Sequence, residues 1–202
     1  MDSPLIYLGF VLLIAYVFHL WLSDLRAADS EKTVAGALPG ATPCSRNLIV
    51  IGIAGALILV ACETAGEAVL GISSEQSSMT LLFAMVTIAA GFSEELIFRG
   101  YLVIQNRGKA ALWIGMVLCS VLFALIHPYL WSWENGALNP QLTTKAWFST
   151  GIVFLNSLWF YYLRFASANP EKSLWPCIAA HASSNAAVFL VKLAQGHVSG
   201  LF

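Results

Sequence analysis

Six apolar stretches, each long enough to cross a lipid bilayer, limit this sequence to a membrane fold. Of its 202 residues, 58% are hydrophobic and 10% are charged, whereas soluble domains carry about 25% charged residues. A helix that spans the hydrocarbon core needs about 20 apolar residues. The sequence therefore predicts an all-α, polytopic membrane helical bundle with about six transmembrane helices. The predicted spans are Leu5–Leu22, Leu48–Leu70, Met79–Ile104, Ala110–Trp131, Ala146–Phe165 and Leu174–Leu193.

The third stretch contains three charged side chains, in the segment Glu94-Glu95-Leu96-Ile97-Phe98-Arg99. A charge in hydrocarbon costs at least ~2.5–3.5 kcal/mol on insertion scales, so it needs a partner or a function. Glu95 and Arg99 are four residues apart and can form an ion pair on one helical face. Glu94 points about 100° away from that face, which leaves it free to accept a proton from water. On this segment alone, a structural charge cluster or a proton relay is an equally good interpretation.

Two later stretches carry polar residues with the same spacing. Phe123 and His127 share a helical face, and Pro128 follows directly and can break the helix. His181 and Asn185 share a face among alanines and serines, which permit close helix approach. Taken singly, each pattern could belong to a satisfied core histidine or a packing face. Together with the carboxylates, they predict a hydrolytic centre buried between membrane helices.

The motifs EExxxR, FxxxH and HxxxN in hydrophobic segments resemble those of the CPBP family of CAAX proteases and bacteriocin-processing enzymes, also called ABI. The resemblance covers about Leu81 to Leu193. It implies an intramembrane endopeptidase with an all-helical core. The residues that it implies are Glu94, His127, His181 and Asn185 as catalytic groups, and Glu95, Arg99 and Phe123 as supporting groups.

The resemblance also implies a role for each catalytic group. Glu94 with His127 would activate the attacking water, and His181 with Asn185 would stabilise the oxyanion. Amide hydrolysis does need a base, a nucleophilic water and donors aimed at the developing oxyanion. An asparagine amide supplies such a donor without a second charge to desolvate.

The resemblance divides the chain into two regions. We expect residues 1–78 to hold two accessory transmembrane helices and a polar linker. We expect residues 79–202 to hold the catalytic helical core. The linker, Ser23 to Asn47, contains turn signals at Pro39-Gly40 and Pro43.

Metal dependence is open at this point. A glutamate and two histidines could bind zinc with a water in the fourth position, and a zinc-dependent protease that uses the same residues is the main alternative. Because HExxH is absent and no cysteine lies in the motifs, we expect a metal-free mechanism without a cofactor. Two other classes are a catalytically silent immunity or partner-binding membrane protein and a proton-coupled transporter. A transporter often shows an internal repeat, and none is evident.

The charge distribution bears on partners and orientation. A net charge of −1 without a basic tail gives no reason to expect nucleic acid. We expect a multi-pass protein of a bacterial inner membrane that acts on a membrane-anchored or lipid-tethered peptide or protein. The first, third and fifth connections should be cytoplasmic because they hold most basic residues, and we expect the substrate opening on that side. These basic residues are Arg26, Lys32, Arg46, Arg107, Lys109, Arg164 and Lys172.

Two other polar pairs receive a structural interpretation. Glu63 and Glu67, near the end of the second stretch, are expected to be solvated at the interface. Asn156 and Ser157, in the fifth stretch, are expected to hydrogen-bond a neighbouring helix.

Overall fold

The computed structural model describes residues 4–30 and 35–201, so Lys32, one of the basic residues used for orientation, lies outside the described residues. Within these ranges the chain folds as a bundle of six helices. This confirms the predicted helical polytopic membrane fold. The helices are α1 (Pro4–Asp29), α2 (Arg46–Leu70), α3 (Leu81–Glu95), α4 (Lys109–Ile126), α5 (Thr144–Phe165) and α6 (Trp175–Ala194).

Local sequence signals fix several helix ends. The hydroxyls of Ser45, Thr80 and Thr143 accept hydrogen bonds from backbone N–H groups in the first turns of α2, α3 and α5. Such caps satisfy donors that have no partner inside the helix. Gly71 ends α2 in the left-handed conformation, at φ 70°, which costs glycine little because it has no Cβ.

Five of the six helices are long and apolar enough to cross a membrane by themselves, and α5 is the exception among the described helices. With 22 residues α5 is long enough. Its polar side chains face inward, with Ser149, Thr150 and Ser157 all buried. Its lower hydropathy therefore reflects polar side chains on the face that packs inside the bundle.

A π-helical turn, Leu96–Tyr101, continues α3. The turn is marked by a hydrogen bond of 2.8 Å from the backbone N–H of Leu102 to the carbonyl of Ile97, five residues earlier. Such turns are frequent at functional sites. The helical segment thus ends three residues before Ile104, where the apolar stretch predicted its end.

A β-hairpin replaces the predicted last turn of the fourth span. α4 ends at Ile126 because Pro128 cannot continue it. The strands β1 (Trp131–Glu134) and β2 (Ala137–Pro140) follow, antiparallel and four residues each. Asn135 and Gly136 form the turn with φ 53° and 75°, as a two-residue hairpin turn requires.

Long-range hydrogen bonds define the two ends of the bundle. One end is called the hairpin end. There the backbone N–H of Leu81 donates to the carbonyl oxygen of Gly200, so α3 begins beside the chain that follows α6. The hairpin and the α2–α3 connection lie at this same end. At the other end, named the basic end, the Thr42 hydroxyl donates to the carbonyl of Glu171 and joins the α1–α2 and α5–α6 connections.

The first two helices pack closely on the rest of the bundle. Trp21 of α1 is completely buried and stacks on Trp175, with 5.7 Å between ring centroids. Gly52 of α2 leaves so little room that a Cβ there would lie 3.0 Å from the carbonyl oxygen of Pro176. The division of the chain near residue 78 stays a prediction, although both helices contribute to one core.

Candidate functional site

Close approach of α3 and α6 brings the EExxxR and HxxxN motifs together. Gly91 of α3 faces His181, and a Cβ at this position would lie 3.2 Å from Cδ2 of the imidazole. A methyl group there would need the His181 ring to shift by a few tenths of an ångström. The glycine thus allows the carboxylates that follow it to reach the His181 ring.

His181 lies between the two carboxylates. Its Nδ1 is 2.8 Å from Oε1 of Glu95, and its Nε2 is 3.7 Å from Oε2 of Glu94. The ring stacks on Phe160 with 4.9 Å between centroids. Since an ionised carboxylate only accepts hydrogen bonds, Nδ1 donates to Glu95 and Nε2 points towards Glu94.

Glu95 and Arg99 form the predicted i,i+4 ion pair, and both are completely buried. Arg99 Nη1 lies 3.2 Å from Glu95 Oε1, while Nη2 donates to the Ser157 hydroxyl at 2.6 Å. The guanidinium carbon lies 4.5 Å from the centroid of the Phe123 ring, a favourable cation–π contact. Ser157 therefore has the structural role expected for it, and Phe123 shields the ion pair.

His127 does not lie inside a helix as its motif suggested, because it is the first residue after α4. Its Nδ1 is 2.7 Å from the backbone carbonyl oxygen of Phe123. A carbonyl oxygen can only accept, so Nδ1 carries a proton, and in the neutral ring the lone pair is then on Nε2. The break at Pro128 thus fixes the tautomer in which Nε2 can act as a base.

Asn185 is oriented by the backbone of α3. Its Nδ2 donates to the carbonyl oxygen of Thr87 at 2.8 Å, and this contact settles which end of the amide faces α3 because the carbonyl cannot donate. One N–H of the amide is used in this way. The second N–H stays available to a ligand.

A single cavity of ≈ 660 Å³ brings the four candidate catalytic residues together. Its size lies within the range of about 300–1,000 Å³ that is usual for ligand sites. Glu94, with 29% of its side chain exposed, forms part of the wall. Glu95 and Arg99 are buried behind the wall. The other candidate residues in the wall are His127, His181, Asn185 and Phe123.

The cavity extends towards the hairpin end. Within the described part of the chain, its lining residues fall in the segments 60–94, 123–160 and 181–192. These segments run from the level of Glu94 to the hairpin end and include almost all of α3. The expected opening at the basic end stays a prediction, and this lining does not support it.

Charged residues near the mouth of the cavity form a cluster that the sequence interpretation missed. Glu67 is 2% exposed and forms an ion pair with Lys145, so its expected solvation at the interface is wrong. Lys192 donates to the carbonyl oxygen of Ser77 at 2.6 Å. Glu63 belongs to the same wall. The sequence signal for this cluster was the presence of basic and acidic residues together near predicted span ends.

Asn156 is a second polar residue that the sequence interpretation placed elsewhere. It lines the cavity. Its Oδ1 is buried, and in the residues that the structure covers it has no hydrogen-bond partner. The amide therefore differs from its neighbour in sequence, Ser157, whose hydroxyl is hydrogen-bonded to Arg99 and Ser120.

The residues around the cavity do not form a ready metal site. In the ranges 4–30 and 35–201, no three histidine, cysteine, aspartate or glutamate side chains are grouped so that they could hold one ion. His181 uses Nδ1 for Glu95, and His127 uses Nδ1 for a carbonyl, so each ring keeps Nε2 for another partner.

Comparison with known protein families gives one match. A family model described as type II CAAX prenyl endopeptidase Rce1-like matches residues 76–187, which include all three motifs. No curated protein and no solved structure matched.

Proposed function

The chain belongs to the Rce1-like family of type II CAAX prenyl endopeptidases, and from this membership we propose that it is an intramembrane glutamate-type endopeptidase. As a member it is a multi-pass membrane protease. The observation that carries the finer proposal is the presence of Glu94, His127, His181 and Asn185 in one cavity wall.

The nucleophile in this mechanism is a water molecule held between Glu94 and His127. Glu94 is partly exposed to the cavity, and His127 presents the lone pair of Nε2. The water oxygen attacks the carbonyl carbon of the scissile peptide bond as its proton passes to the carboxylate. General base catalysis of this kind contributes typically about 10²–10⁴-fold.

Asn185 and His181 stabilise the tetrahedral intermediate. The free N–H of Asn185 donates to the oxyanion, and His181 also donates when Nε2 carries a proton. Collapse of the intermediate breaks the C–N bond, and the proton held by Glu94 passes to the leaving amine. A donor aimed at an oxyanion is worth about 10²–10³ in turnover.

The buried pair of Glu95 and Arg99 has a positioning role. Glu95 holds the His181 ring through Nδ1, and Arg99 fixes the carboxylate while it reaches to Ser157. A group that is held in this way meets the reacting atoms without reorganisation.

The proposed reaction requires no metal. Its support is that no three candidate ligand side chains are grouped to hold one ion in the part of the chain that the structure describes, and that Glu94 and Asn185 suffice as base and donor. The zinc-dependent alternative would need Glu94 and both histidines as ligands. A chain that only bound a partner would not need the three motifs together.

The substrate in this proposal is a peptide that is anchored in the membrane or tethered to a lipid. Unpaired backbone is not tolerated in hydrocarbon, so the scissile segment must enter the water-accessible cavity in extended form. We place the protein in a bacterial inner membrane.

Cleavage by the purified chain tests the proposal. Reconstituted in liposomes with a library of lipid-tethered peptides, the wild-type chain is expected to release fragments that mass spectrometry detects. Fragment release should be unchanged by EDTA or 1,10-phenanthroline, at concentrations that inhibit a zinc protease assayed in parallel. Loss of cleavage with chelator, and its return with zinc, would favour the zinc mechanism. No cleavage of any peptide would favour a silent partner-binding protein.

A further inference from the structure

One carboxylate in the cavity wall, that of Glu63, has no partner at contact distance. Glu63 is half-buried on α2 and lines the cavity. Across the described chain, its oxygens accept no hydrogen bond and form no ion pair. They are not sealed inside the protein, unlike Oδ1 of Asn156. Because an ionised carboxylate offers about four acceptor positions, Glu63 can receive a donor that enters the cavity.

The charged groups around Glu63 are engaged with the protein. Glu67 and Lys145 form an ion pair with each other. Lys192 is 9% exposed, and its ammonium group donates to the carbonyl oxygen of Ser77 at 2.6 Å. Glu67 and the two lysines act on Glu63 only through longer-range electrostatics. Glu63 is therefore the member of this cluster whose acceptor positions are open to a ligand.

The net charge of the cavity wall favours a cationic ligand. Among the described residues of the wall, the charged side chains are three carboxylates and two ammonium groups, so that together they carry one negative charge. A cation that enters with the substrate would neutralise the wall, and such electrostatic complementarity selects between partners. The residues are Glu63, Glu67, Glu94, Lys145 and Lys192.

The packing of α2 on α6 places Glu63 relative to the catalytic groups. Both helices run from the basic end to the hairpin end, and Gly52 lies against Pro176 and Ala180. Glu63 follows Gly52 by about three helical turns, or roughly 16 Å, so it lies roughly 12–15 Å beyond His181 towards the hairpin end. An extended peptide rises about 3.3 Å per residue, and it covers this distance in about four residues.

We propose that Glu63 determines substrate specificity by pairing with a basic side chain of the substrate. That lysine or arginine belongs to a residue about three to five positions from the scissile bond, in the part of the extended peptide that lies towards the hairpin end. A neutral residue there would leave the carboxylate unpaired while the peptide displaces water from it, and an acidic residue would add a like charge. The inference rests on the proposed function, because cleavage at Glu94 fixes the register of the peptide.

Acyl-tethered peptides that differ at one position test the pairing. Each peptide carries lysine, glutamine or glutamate at a single position of an otherwise identical sequence, and the position is moved along the peptide. The liposomes consist of phosphatidylcholine, which has no net charge and does not concentrate basic peptides at its surface. Binding is measured in the Glu94→Gln background, and kcat/KM is measured with Glu94 present.

Lysine at the matching position is expected to bind about tenfold more tightly than glutamine, and glutamate more weakly than glutamine, because one partly desolvated ion pair is gained or one repulsion is added. The value of kcat/KM should follow the same order. Lysine on the other side of the scissile bond should give no gain, since that part of the peptide lies away from Glu63.

Variants of Glu63 separate recognition from a structural role. Glu63→Gln should bind the lysine and glutamine peptides equally, with a melting temperature nearly unchanged because no contact is lost. Glu63→Lys should reverse the order and favour glutamate, which a purely structural residue would not do. Glu75→Gln is the matched control, since Glu75 is an exposed carboxylate at the same end and outside the cavity wall. It should keep the preference for lysine.

Equal binding of the three peptides, or a preference for lysine that persists in Glu63→Gln, would overturn the inference. A preference for glutamate in the chain with Glu63 would also overturn it and would assign recognition to Lys192. Charge-dependent binding without any cleavage would refute the proposed function and support the role of Glu63. Cleavage that is independent of charge at every position would support the proposed function and refute the role of Glu63.

Discussion

Glu94→Gln is expected to lower peptide cleavage by about 10²–10⁴-fold while the protein keeps its fold. Glutamine preserves the shape of the side chain but cannot accept the proton of the attacking water. The glutamate is partly exposed to the cavity, at 29% of its side chain. Removing its charge therefore leaves no buried ion without a partner. The measurement is single-turnover cleavage in liposomes, together with a thermal unfolding curve.

Glu134→Gln is the matched control, because Glu134 is an exposed carboxylate on the hairpin. This variant should cleave at the wild-type rate. Full activity of Glu94→Gln would remove the base assignment. A large loss of stability in Glu94→Gln would mean that the carboxylate is a structural partner of His181.

Arg99→Ala is expected to destabilise the fold by about 3–5 kcal/mol, the usual cost of removing one partner from a buried ion pair. The substitution leaves Glu95 charged and buried beside His181. It also removes the donor to Ser157 and the cation over the Phe123 ring. Thermal unfolding in detergent and the yield of folded protein measure the effect.

Two further variants separate the ion pair from general effects of losing an arginine. Arg107→Ala, at the exposed basic end, should leave the melting temperature unchanged. The double variant Arg99→Ala with Glu95→Gln should be more stable than Arg99→Ala alone, because it no longer buries an unpaired charge. Equal stability of the single and double variants would show that Arg99 acts through its packing.

Much of the fold follows from the sequence because few backbone structures can span a bilayer. Six apolar stretches predicted six helices, and most helix ends agree within a few residues. The fourth span was predicted too long because Trp131 extends its apolar run. The signal for the hairpin was present in Asn135-Gly136, the dipeptide that favours a tight hairpin turn. The apolar residues before this dipeptide made the segment look like the end of the fourth span.

The site was predicted in part, because helical spacing fixes which residues share a face but not which atoms meet. The pairing of Glu95 with Arg99 followed from the spacing of four residues. The contact of His181 with both carboxylates depends on how closely α3 and α6 approach at Gly91. The proton on Nδ1 of His127 depends on where α4 ends. Both depend on tertiary packing, which the residue spacing within one helix does not determine.

The direction of the cavity could not be read from residue spacing. Counting along a helix gives the height of a side chain, whereas an opening depends on where neighbouring helices separate. Glu67 and Lys145 are far apart in sequence and meet only in the folded bundle. Their ion pair lies in the cavity wall, where the sequence alone suggested an acidic pair exposed to solvent.

The π-helical turn after Glu95 makes the spacing of the motif sensitive to chain length. A turn closed over five residues contains one residue more than an α-helical turn. A deletion between Glu95 and Arg99 would let the backbone return to regular α-helical bonding, so the helix itself would survive. The arginine would then stand three residues after Glu95, still on a neighbouring position, but it would be rotated by about 100° relative to its present partners Ser157 and Phe123. Homologues should therefore vary in side chain along this turn far more readily than in length, and a gap placed here in an alignment should mark a protein whose arginine has lost its contact with the fifth helix.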